Sequence, residues 1–115
     1  MAASEHALKI AKIAAQAAYD KKAEDIVLLD VSEHLVITDI FLIVSADNER
    51  QVGAVVDAIE AALDLIDVDP IRREGNREGR WVLLDYFDIV VHVQQAEERS
   101  LYDLERLWSD CPHIP

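Results

Sequence analysis

Residues 80–94 read RWVLLDYFDIVVHVQ. Two apolar, β-branched runs flank a short polar interruption, D-Y-F-D. Such runs predict two strands, 80–85 and 88–94, with a turn between them that folds the second back beside the first. In the second run, Val90, His92 and Gln94 alternate with Ile89, Val91 and Val93, so the strand has two distinguishable faces.

Working outward, residues 71–74 (IRRE) predict an edge strand, and 75–79 (GNREG) a turn-rich loop leading into strand 80–85. Val52, Val55, Val56, Ile59, Leu63 and Ile66 recur at helical spacing. Asn48 is placed to cap that helix, with Gln51 as its capping-box partner, and Pro70 bars any continuation. Residues 25–31 (DIVLLDV) and 35–46 (LVITDIFLIVSA) predict two more strands. The apolar run 40–44 suits a strand covered on both faces.

Residues 4–22 predict a first helix capped by Ser4, and 96–108 a last one carrying Leu101, Leu104 and Leu107. The order α-β-β-α-β-β-β-α implies an α/β fold: one mixed sheet of about five strands with helices packed on it. A single domain spans 1–115, and 111–115 is expected to be an irregular tail. Strand order does not follow from the pattern.

The 115 residues carry 23 acids against 11 bases, a formal net charge of −12. Such a surface repels phosphate at long range and favours a basic protein surface. Cys111 is the single cysteine, so no internal disulfide forms, as suits a reducing compartment. No apolar run approaches the roughly 18 residues of a membrane span. Glu5, His6, Lys9 and Lys12 interrupt any signal-peptide core. The expected location is the cytoplasm, or an organelle after processing.

Catalytic patterns are missing. His6, His34, His92 and His113 share no metal-ligand spacing, so neither a metal nor another cofactor is expected. No serine sits in a G-x-S-x-G elbow, and Gly53, Gly75 and Gly79 form no phosphate loop. Asp85 and Asp88 are the nearest approach to a paired-carboxylate site, but three-residue spacing does not place both on one strand face. They are expected to flank the turn and accept bonds from its amides. His92 is expected to be structural. Five of the seven aromatics (Trp81, Tyr86, Phe87, Tyr102 and Trp108) fall between 81 and 108, where an even spread would put about two. Arg72, Arg73, Arg77 and Arg80 lie just before them. Trp, Tyr and Arg dominate interface hot spots, so this segment is a candidate docking surface.

The words KAEDIVLLDVS (22–32), ITDIFLIVSA (37–46), RQV (50–52), EG (74–75), GRWVLLDYFDIVVHV (79–93) and RSLYDLERLW (99–108) resemble the ribosomal silencing factors of the Iojap family. The match runs from about residue 5 to residue 110. The resemblance implies a nucleotidyltransferase-like fold without the catalytic residues, hence no enzyme. It implies a translational repressor that binds the large ribosomal subunit through ribosomal protein uL-fourteen, blocks joining of the small subunit under nutrient limitation, and forms a homodimer when free. A large-subunit assembly factor using the same site is the alternative, a residual enzyme the least favoured. By the same resemblance, partner binding falls on Trp81, Asp85, Tyr86 and Asp88. The family usually carries glycine where this chain has Phe87, so a looser turn is expected here. Ala46 and Asn48 replace a glycine and a serine, and Cys111 a small residue such as alanine.

Overall fold

The structure, a computed structural model, describes residues 3–75 and 79–115; positions 76–78 of the expected 75–79 loop lie outside the described residues. The elements are α1 (Glu5–Asp20), β1 (Glu24–Asp30), β2 (Ile40–Ala46), α2 (Glu49–Asp64), β3 (Arg72–Gly75), β4 (Trp81–Asp85), β5 (Ile89–Gln95), α3 (Ala96–Tyr102) and α4 (Leu104–Leu107).

The five strands form one sheet in the order β1-β2-β5-β4-β3. β2 and β5 run parallel at its centre, and the other three pairings are antiparallel. β2 is buried at every position, as its unbroken apolar run requires.

Helices α1 and α2 cover one face. The Ser4 side chain accepts from the Ala7 amide, and Asn48 from the Gln51 amide, so each N-terminus satisfies an otherwise orphaned donor. The Gln51 side chain accepts from the Asp47 amide at 2.6 Å, one residue earlier than a strict capping box. α1 buries Ala7, Ile10, Ala11, Ala14 and Ala18, and α2 buries Val52, Val55, Val56, Ile59 and Leu63. Each of the larger side chains contributes about 1.5–3 kcal/mol over its exposed state. Both helices end in Schellman geometry without glycine. The Ala23 and Val68 amides reach back to the Ala18 and Leu63 carbonyls, across Lys22 (φ 65) and Asp67 (φ 59). Ile66, expected on the α2 stripe, lies past that end.

Two expectations are corrected. Strand 35–46 begins only at Ile40, because residues 31–39 form a turn: the His34 and Leu35 amides both donate to the Val31 carbonyl. Val36 is left fully exposed. Helix 96–108 is broken by Asp103, which adopts φ 39 between α3 and α4. The tail, expected to be irregular, is tied to the free edge of β1. The Asp30 amide donates to Pro112, the Ile114 amide donates to Leu28, and Leu29 bridges His113. Among the described residues, no helix is long and apolar enough to cross a membrane.

Candidate docking face

Strand parity builds the second face of the sheet. Val82 and Leu84 of β4 point into the core under α1 and α2, so Trp81, Leu83 and Asp85 point the other way. The β5 register adds Val90, His92 and Gln94 to that face. Arg72 and Glu74 of β3 stand beside Asp85 and Leu83. Helices α3 and α4 lie over the β1–β2 side, where Leu104 and Trp108 pack on Leu29, Val31, Phe41, Ile43 and Cys111, and α3 reaches β4 through the Tyr102 ring against Trp81. The part of the face around Leu83, Asp85 and β3 is left open. There, a groove of about 330 Å³ is lined by Ile37, Leu83, Val90 and His92 and rimmed by Arg72, Glu74 and Asp85.

Trp81 is half-buried and held in place. Its Nε1–H donates to His92 Nδ1 at 3.2 Å, and its ring lies 5.0 Å from Tyr102. His92 is 5% exposed, and burial pushes its pKa down to about 4, so the imidazole is neutral at pH 7. Because Nδ1 accepts from the indole, the proton sits on Nε2. The Phe41 ring meets the imidazole edge-on at 5.0 Å. His92 is thus structural, as expected, and its task is to aim Trp81.

The remaining site residues separate. The Asp85 carboxylate accepts from the Phe87 amide through Oδ1 at 2.9 Å, while Oδ2 lies 3.5 Å from Arg72 Nε. The expected bond to the turn therefore holds for Asp85. Asp88 departs from it. Its carboxylate lies 3.6 Å from His6 Nε2, and its carbonyl accepts from the Asp39 and Ile40 amides.

Tyr86 is 5% exposed and packs into the core beneath α2, since it has the parity of Val82 and Leu84. It is not a surface anchor. Burial, with the Glu60 and Asp69 carboxylates nearby, pushes its hydroxyl up to about 12. The turn is also tighter than expected. The Tyr86 amide donates to Ile89 and the Asp88 amide to Tyr86, with Phe87 at φ 73 in the region glycine favours.

Among the described residues, no group of three or more His, Cys, Asp or Glu side chains could hold a metal ion. A larger cavity of about 570 Å³ lies beside Arg99. The Arg99 guanidinium is already taken up by Glu105 at 2.9 Å and the Ser45 hydroxyl at 2.9 Å, a structural use of the charge. The arrangement offers apolar and aromatic surface with a carboxylate rim, the chemistry of recognition.

The model of the family described as ribosomal silencing factor during starvation matches residues 4–115. The chain belongs to that family. A ribosomal silencing factor RsfS of Bacillus subtilis is 45% identical over 103 residues, covering 90% of this chain and 87% of that protein. A crystal structure of a Chromobacterium violaceum protein superposes with a TM-score of 0.85 at 36% identity, covering 89% of this chain and 85% of the other. One from Bacillus halodurans gives 0.82 at 35%, covering 94% and 98%. The silencing-factor words in the sequence and the five-stranded mixed sheet therefore agree. Leu83, Val90, Ile37 and Glu74 were absent from the expected set. The parity of 81–85 and 89–95 was the signal that places the first two on Trp81's face; the other two needed the loop path and the β3 register.

Proposed function

We propose that this protein represses translation by docking the open face of its sheet on the large ribosomal subunit, at ribosomal protein uL-fourteen, and obstructing the small subunit. The observation that carries the reading is the uncovered apolar groove beside a pre-aimed Trp81, on a chain of the silencing-factor family. Trp81, Leu83 and Val90 supply the apolar contact, and Asp85 and Asp88 the charges for a basic protein surface. Tyr86 acts from below, packing under the turn that carries the two aspartates.

The net charge of −12 opposes docking on RNA and favours exposed ribosomal protein. Obstruction follows from bulk. The body measures 37 × 33 × 24 Å, and even its thin dimension exceeds any gap between surfaces in direct contact. In this reading the protein works in the cytoplasm, without a cofactor, and catalyses no nucleotidyl transfer, since Asp85 and Asp88 are engaged by different partners.

The test is subunit joining followed by light scattering. Pre-incubating large subunits with the protein should suppress the rise on adding small subunits, and pre-incubating small subunits should have less effect. An undiminished rise at saturating protein contradicts the proposal. Binding to assembly precursors but not to mature large subunits would assign the same face to subunit maturation instead.

A further inference from the structure

We infer that Arg72 is a placeholder: in the free chain it occupies the carboxylates of Asp85 and Glu74, and on docking a lysine or arginine side chain of the partner protein takes them instead. This rests on the reading of the open face as the docking surface.

Three arginines of the described residues, Arg72, Arg73 and Arg99, meet carboxylates in two different ways. Arg73 meets Glu60 at 2.8 Å and Arg99 meets Glu105 at 2.9 Å, both hydrogen-bonded. Arg72 instead lies 3.5 Å from Asp85 and 3.5 Å from Glu74, beyond hydrogen-bond length. The Arg72 and Glu74 side chains are 62% and 61% exposed. The Arg72–Glu74 contact is therefore loose and screened, and the Asp85 side chain, 19% exposed, meets Arg72 only at long range.

The groove it guards has a matching shape. Ile37, Leu83 and Val90 supply apolar lining, with Glu74 beside Leu83 and Asp85 beside Val90. Apolar lining flanked by carboxylates fits a long aliphatic stem with a cationic head, which describes lysine and arginine. A phosphate would meet two carboxylates, so RNA is the wrong occupant. The partner is therefore a protein that presents a basic side chain at its contact, and Arg72 competes with it.

Competition gives a sign that ordinary contact does not. Arg72→Met keeps the stem, removes the competitor, and should tighten binding to purified bacterial large ribosomal subunits by about two- to fivefold. Asp85→Asn keeps the Oδ1 acceptor for the Phe87 amide and should weaken binding by about tenfold. The Arg72→Met gain should be much reduced in the Asp85→Asn background. Circular dichroism confirms that each variant is folded.

Weaker binding by Arg72→Met, with a shallower salt dependence, makes Arg72 itself a contact and overturns the proposal. Unchanged affinity overturns it too. If the unmodified chain fails to bind large subunits, the docking reading falls and this inference with it. If the chain binds and Leu83→Asp abolishes binding, but Arg72→Met does not tighten it, the placeholder alone is wrong.

Discussion

Trp81 and His92 form a donor–acceptor pair across adjacent strands: the indole Nε1–H donates to Nδ1 of a buried, neutral imidazole at 3.2 Å. His92 lines the floor of the groove and Trp81 stands beside it. The orientation of Trp81 is thus set by a group that titrates.

The pH dependence follows from that burial. The folded pKa of His92, about 4, lies below its ordinary 6.5, so the unfolded chain binds the proton more readily. Its stabilising effect is complete above about pH 6.5 and is lost progressively toward pH 4. Urea unfolding should show about 2–3 kcal/mol less stability at pH 4.5 than at 7.5 from this residue alone. In His92→Gln, which cannot titrate, the pH difference should shrink by that amount. An identical pH difference in both proteins contradicts the assignment.

Phe87 holds φ 73 at 54% exposure, a conformation that costs a bulky L-residue about 1–2 kcal/mol. Phe87→Gly removes that strain but raises the entropy of the unfolded chain by about 0.5–1 kcal/mol. The net effect should be a modest rise in Tm, read by calorimetry. A fall in Tm would mean that the ring makes compensating contacts.

Tyr86 separates packing from docking. Tyr86→Phe deletes a buried hydroxyl with no hydrogen-bond partner among the described residues, and should leave stability equal or higher and large-subunit binding unchanged. Tyr86→Ala empties core volume and should cost about 3–5 kcal/mol. A folded, fully stable Tyr86→Ala protein that fails to bind would restore Tyr86 as a direct contact.

The groove stands uncovered in the single chain, and a monomer rarely leaves a large apolar patch bare. Sedimentation equilibrium should therefore show mass rising toward a dimer with concentration, and Leu83→Asp should abolish the rise. A strict monomer at high micromolar concentration contradicts this.

The sequence made the sheet legible wherever one physical signal dominated. The unbroken apolar run of β2 and the helical stripe on α2 each admit one reading. It misled where two signals overlapped. Residues 35–39 are apolar enough for a strand, yet they form the turn that leaves Val36 in solvent. Tyr86 sits in a turn by sequence but in the core by strand parity, and composition favoured the exposed reading. Asp103 breaks the last helix through a backbone conformation that no residue pattern announced. The Trp81–His92 bond depends on the β4–β5 register, which is a property of pairing and not of either strand alone.

Among the described residues the α3–α4 surface also exposes apolar side chains, with Leu101 72% exposed. Comparing Leu83→Asp with Leu101→Asp therefore tests the docking face most directly. The measurement is the equilibrium affinity of each folded variant for purified large ribosomal subunits, by quantitative co-sedimentation. Docking through the open face requires that Leu83→Asp lose about thirtyfold or more in affinity, the effect of disrupting a central hot spot, while Leu101→Asp stays within about twofold of the unmodified chain. The reverse pattern, with Leu83→Asp binding at full strength and Leu101→Asp failing, would move the interface to the helices and contradict the account.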